Sequence, residues 1–229
     1  MIFRNRGYLP HIESEEGIYF ITFRLADSLP SNVLAAWQTE RNEILLHARN
    51  QKRELSEYEL RRLSYLHLEK VEKYLDSGMG QCWLSNLEVA KIVWDSLKYF
   101  DGTRYKLHVW CIMPNHVHVL FSPLRWKNQS PSDSLLIPIL HSWKSFTASA
   151  ANRILNRKGQ FWQEEYFDVL VKSDSQFAFY VRYILENPVT AKLCQRWQDW
   201  PWTGCSQEIM DLIKEKPSGL EARAPSRTT

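Results

Sequence analysis

The sequence predicts an α+β fold: a ferredoxin-like antiparallel sheet flanked by helices and interrupted by a helical insertion. Three observations carry this reading. Strand and helix signals follow in the order strand, helices, strand, strand, helix, strand, helix. The strand segments are rich in β-branched and aromatic residues. Two of them, "TRYKLHVWCIM" and "HVHVLFS", are separated only by "PN", which fits an antiparallel hairpin.

The elements can be justified in turn. "GIYFITFRL" (17–25) is apolar at nearly every position, as in a strand buried on both faces, and "ADSLP" breaks it. From about Ser31 to Asp76 the chain is charged and helix-favouring, with Ser56 placed to start a second helix. Between 31 and 80 acids and bases balance at eight each, the composition of a solvated helical insertion. Asn86 to Tyr99 reads as a helix stopped by "DG", and the two hairpin strands follow. Asp133 to Lys158 reads as a long helix capped by Gly159, with Pro138 kinking or detaching its first turns. "YFDVLVK" (166–172) alternates as a strand. Ser173 and Gln176 form an S-x-x-Q capping box, and Pro188 is expected to end the helix that follows at Glu186 or Asn187. One domain over 1–205 and a polar, disordered tail over 206–229 complete the organisation.

With 229 residues, 44% of them hydrophobic, the chain can fill one generous core. No apolar run approaches the roughly 20 residues of a membrane span, and the first ten residues lack a secretory core, so a cytoplasmic location is expected. Four scattered cysteines (82, 111, 194, 205) contain no C-x-x-C pair, which argues against a zinc knuckle. There is no G-x-x-x-x-G-K-[ST] loop to cradle a nucleotide triphosphate. Charge is uneven: residues 102–163 hold eight bases and one acid, a surplus suited to a polyanion.

The segment "MPNHVHVLF" (113–121) raises the question of chemistry. Positions two apart on a strand face the same way, so His116 and His118 share a side opposite Val117 and Val119. Two imidazoles so placed can share one divalent metal ion, or they can be structural histidines hydrogen-bonded in the core. In "FYVRYILENP", Phe177, Val181, Ile184 and Leu185 define a buried stripe, with Tyr183 and Asn187 stacked one turn apart on its flank. An amide oxygen there can complete a metal shell beside a phenol. Equally, the pair can be a half-buried aromatic and a helix-terminal residue. The residues alone leave both accounts open.

"MPNHVHVL", followed about 65 residues later by "YILENPV" with "WKSFTASAANRIL" and "FWQEEYFD" between them, resembles the REP-associated tyrosine transposases, of the HUH superfamily of single-strand DNA endonucleases. The similarity runs from roughly Arg6 to Trp202. The resemblance implies His116, His118 and Asn187 as metal ligands, Tyr183 as nucleophile, and Mg²⁺ or Mn²⁺ as the ion. It implies nicking and strand transfer on single-stranded or hairpin, REP-like palindromic DNA through a 5′-phosphotyrosine. Expected DNA contacts are the arm Arg4 and Arg6, then Arg125, Trp126, Lys127, Lys144 and Arg153, combining phosphate-tracking cations with a stacking ring. No role transfers to the 31–80 insertion, and both monomer and homodimer stay open. The competing readings are a phosphoesterase using water on the same metal and a non-catalytic, structure-specific DNA-binding relic.

Overall fold

A computed structural model describes residues 2–5, 10–13, 17–56, 58–59, 62–63, 66, 71–127, 129–130 and 133–215. Strands β1 (Ile2–Asn5) and β2 (Pro10–Glu13) pair as a small antiparallel ribbon. The main sheet contains β3 (Ile18–Arg24), β4 (Tyr105–Ile112), β5 (His116–Pro123), β6 (Phe167–Val171) and β7 (Thr203–Cys205). Their spatial order is β6-β3-β5-β4-β7, every neighbouring pair antiparallel. Without β7, the order of successive strands is fourth, first, third, second, and the expected ferredoxin-like α+β fold is present.

Helices α3 (Leu87–Tyr99) and α4 (Leu136–Ile154) are the two crossovers on one face of the sheet. Their residues Val89, Val93, Leu97, Ile139, Leu140 and Trp143 meet the odd-numbered side of β3 and β5, namely Tyr19, Ile21, Phe23, Val117, Val119 and Phe121. Asn86 starts α3 by accepting from the amides of Glu88 and Val89 at 3.0 and 3.2 Å. The opposite face, Phe20 and Leu120 among its residues, is covered by α5 (Asp174–Thr190) through Tyr180, Val181, Ile184 and Leu185. A register shift between Leu107 and Val109 reverses the alternation of β4, so Leu107 joins the first core while Val109 and Cys111 join the second.

The insertion supplies α1 (Ser31–Asn50) and the short α2 (Lys73–Asp76). Ser56 does begin a turn: Glu59 carboxylate accepts from its amide and its hydroxyl, both at 2.8 Å. Leu29, Trp37, Leu66, Val71 and Leu75 form a small core separate from the two beneath the sheet.

Several expected boundaries differ. Helix α4 stops at Ile154, where Asn156 (φ 46°) takes the left-handed position, so Gly159 lies beyond the cap. Pro138 falls in the first turn, where no donor is missed. Helix α5 continues through Pro188 to Thr190, and Lys192 at φ 59° turns the chain out. Asn187 is thus inside the helix. Part of the expected tail is ordered too: β7 extends the sheet and α6 (Gln207–Glu215) buries Ile209 in the second core, while 216–229 lies outside the described residues.

Candidate functional site

Strand β5 projects His116 and His118 onto the α5 side, and their ring nitrogens converge. The two Nε2 atoms are 2.9 Å apart. Each Nδ1 is held from behind, His116 by Asn115 Oδ1 at 2.7 Å and His118 by Thr22 Oγ1 at 2.8 Å. Asn115 Oδ1 accepts from His116 Nδ1, which leaves His116 Nε2 a lone pair, and when the Thr22 hydroxyl accepts from His118 Nδ1 the His118 Nε2 carries one as well. At 2.9 Å the two Nε2 atoms either share a proton as a hydrogen bond or, with both unprotonated, flank a cation. Cis ligands of an ion with bonds of about 2.1 Å would stand roughly 3 Å apart, which this pair already does.

The surrounding donors fit an ion. Asn187 Oδ1 is buried without a hydrogen-bond partner, because the side chain is turned to hydrogen-bond the Asp76 carboxylate. Glu72 completes the group: its Oε2 is 3.4 Å from His118 Nε2, and its Oε1 is 3.5 Å from the Thr22 hydroxyl. Glu72, His116 and His118 offer ligand atoms all within 4.8 Å of one another. Two imidazoles, a carboxylate and an amide oxygen suit a divalent cation.

Tyr183 stands beside this cluster, its ring centroid 5.3 Å from that of His118 at 70° and 5.8 Å from that of Phe20 at 83°. Tyr180 is committed to packing instead, stacked on Phe20 at 4.3 Å. The Tyr183 hydroxyl is buried, and burial pushes its pKa well above the ordinary phenol value; the nearby Glu72 and Asp76 charges push it further. Burial and the Glu72 charge likewise raise Asp76 to about 6, against lowering by His118 and Asn187.

Both acids come from the insertion, which the sequence reading left without a role at the site. They sit four residues apart and so share a helix flank, beside the Val71 and Leu75 pair that anchors the segment. Nothing in local sequence separates Glu72 from the other acids of a charge-balanced stretch. Thr22 and Asn115 also escaped notice, although adjacency to "HVH" was a signal for Asn115. The cover is complete: His116 and His118 are 0% exposed, Asn187 2% and Glu72 3%.

The residues expected to contact DNA do not converge on this cluster as one surface. Arg4 lies in β1, and Arg6 lies outside the described residues. Trp126 packs against the α3–α4 core with Arg104 over its ring at 5.3 Å. Arg125 donates to the Ser130 carbonyl at 2.6 Å, while Lys127 and Arg153 are exposed. Lys144 Nζ donates to the carbonyls of Gln163 (2.7 Å) and Glu164 (2.5 Å), and burial lowers its pKa to about 8.

Among known proteins, a Haemophilus influenzae protein named as a candidate REP-associated tyrosine transposase is 27% identical over 109 residues, covering 43% of this chain. Over the matched residues the chain resembles the REP-associated tyrosine transposases. The match spans 58% of that relative, little more than half its length. No family model matches the chain. A solved REP-associated tyrosine transposase bound to a REP hairpin aligns over 100% of this chain and 94% of its own, with 16% identity and a TM-score of 0.42. A candidate transposase of Deinococcus radiodurans aligns over 80% and 96%, with 13% identity and a TM-score of 0.29. Among the described residues no helix is long and apolar enough to cross a membrane.

Proposed function

We propose that the chain nicks and transfers single-stranded or hairpin DNA, with Tyr183 as nucleophile and a divalent ion, Mg²⁺ or Mn²⁺, held by His116, His118 and Asn187. The carrying observation is the facing pair of Nε2 atoms at 2.9 Å, with the Tyr183 ring 5.3 Å from His118. When bound, the ion withdraws charge from the scissile phosphate and orients it for in-line attack. The chain's own residues do the rest. Asn115 and Thr22 hold the two imidazole rings in place through their Nδ1 atoms, and α5 holds Asn187 and Tyr183 on one flank.

The phenol gives up its proton to solvent and its oxygen forms a bond to phosphorus as the bond to the 3′ oxygen breaks; the departing oxygen takes a proton from solvent, leaving a 5′-phosphotyrosine and a free 3′ hydroxyl. One phosphoester replaces another, so resealing needs no triphosphate, in keeping with the missing phosphate loop. The resemblance to the REP-associated tyrosine transposases supports a substrate class, a REP-type palindrome folded as a hairpin. In the closed arrangement the phenol is a weak nucleophile, because burial and two carboxylates disfavour its anion. Withdrawal of the segment carrying Glu72 and Asp76 would both admit DNA and remove those charges.

The test is incubation of the full chain with labelled hairpins bearing single-stranded flanks, in manganese, followed by a denaturing gel. A protein–DNA adduct is expected from the parent chain and from Tyr166→Phe, and none from Tyr183→Phe. Cleavage without any adduct would instead favour water as nucleophile. Hairpin binding with no cleavage in any divalent metal would make the chain a non-catalytic binder.

A further inference from the structure

Arg24 is the residue the metal cluster leaves unexplained. It sits at the end of β3, directly across from His116 in the strand register, on the same sheet face as Thr22 and both histidines. It is only 8% exposed. Its Nη1 donates to the Leu25 carbonyl at 3.4 Å and the Ser28 hydroxyl at 3.2 Å, both neutral acceptors. No carboxylate of the described residues lies within ion-pair distance of it. Glu165, the acid whose charge acts on it, is 3.9 Å from Arg41 instead. Burial correspondingly lowers the Arg24 pKa to about 10.

Buried guanidinium groups ordinarily take a carboxylate, because an unpaired buried charge costs several kcal/mol. The neighbouring acid, Glu165, lines the same cavity as Arg24 but stands within ion-pair distance of Arg41 and not of Arg24. Lys144 adds another positive charge near Arg24, opposed by Glu164 and Glu165. This cavity of about 30 Å³ adjoins the guanidinium, walled by Thr22, Trp37, Val71, Glu165 and Tyr166 among others. It has room for about two water molecules. Trp37 and Val71 belong to the insertion, so the space widens if that segment withdraws. A cation without its anion, one strand from an anion-activating cluster, describes half of a phosphate site.

We infer that Arg24 contacts the scissile phosphate, donating N–H bonds to a non-bridging oxygen that gains charge as Tyr183 attacks. The inference rests on the strand-transfer reading. The planar fork of donors suits a phosphate oxygen pair, and the strand register pairs Arg24 with His116, one of the proposed ligands. As charge grows on the phosphorane oxygens the interaction strengthens, so the residue acts more on rate than on binding.

The experiment measures three quantities on the full chain: single-turnover adduct formation at saturating hairpin DNA, hairpin affinity in chelator, and melting temperature. Arg24→Met is expected to slow adduct formation by on the order of 10²–10³-fold, the scale of losing one preorganised donor. Affinity should change less than about tenfold, and the melting temperature should hold or rise, since an apolar side chain replaces an unpaired charge. Arg24→Lys keeps the charge without the fork and should recover part of the rate. An Arg24→Met rate within about threefold of the parent overturns the inference. So does a lowered melting temperature with rate and affinity falling in proportion in both variants, which would make Arg24 a structural cation. Absence of adduct from the parent chain would instead fail the strand-transfer reading itself and take the Arg24 role with it.

Discussion

At the scale of single residues, function and stability pull on different side chains. The Tyr183 hydroxyl is buried without a well-placed partner, so Tyr183→Phe should leave stability unchanged or raise it by up to about 1 kcal/mol. That makes the adduct test clean, because lost chemistry cannot be blamed on lost fold. His108 behaves in the opposite sense. It is 8% exposed, its Nε2 lies 2.8 Å from Ser122 Oγ, and burial lowers its pKa from 6.5 to about 4. The unfolded chain therefore takes up the proton first as pH falls. Stability from this group is complete above pH 6.5, declines as pH drops towards 4, and is flat below. The full loss is of the order of 3 kcal/mol. Urea unfolding at pH 7 and pH 4.5 measures it: His108→Gln should flatten that part of the pH dependence, and an unchanged slope would remove His108 as its cause.

At the scale of elements, the insertion behaves as a cover held by polar contacts. Its apolar residues Trp37, Leu66, Val71 and Leu75 pack on one another, and its contacts with the body include Glu72 to Thr22 and His118, Asp76 to Asn187, and Arg41 to Glu165. Such contacts exclude water yet add little net stability, which favours local opening. Arg41→Ala, which removes the ion pair to Glu165 and the guanidinium packed over Trp37 at 5.0 Å, should weaken the closed form by about 1 kcal/mol, raising the open population and the apparent hairpin affinity roughly fivefold. Anisotropy titrations in chelator check this; an affinity that falls instead would mark Arg41 as a DNA contact. The same element shows where sequence reading runs out. The continuous apolar run of "GIYFITF" and the one-apart histidines of "HVHVLF" are local properties, as is the i, i+4 spacing of Tyr183 and Asn187, and all survive in the structure. Pro188 was expected to end α5, yet the helix runs two residues further, because a proline near a helix end removes a single donor and the last turn closes through Leu193 to its carbonyl. Glu72 was illegible for a different reason. Its place depends on how a charge-balanced hairpin of helices docks against a sheet some 45 residues away in sequence, and no periodicity encodes that.

At the scale of the whole molecule, the candidate centre ties together segments that separate on unfolding: β3 through Thr22, the insertion through Glu72, β5 through both histidines and α5 through Asn187. An ion bound there binds the folded chain and has no comparable site in the unfolded one, so it must stabilise the fold by mass action. At a hundredfold excess over the dissociation constant the gain is about 2.7 kcal/mol, which in a chain of this size raises the melting temperature by roughly 5–10 °C. Manganese titration followed by thermal melting should show that rise, and chelator should reverse it. In His116→Ala/His118→Ala the rise should vanish. An equal manganese shift in parent and double variant would place the ion elsewhere. It would leave the imidazoles as structural histidines, and Tyr183 without the partner its chemistry requires.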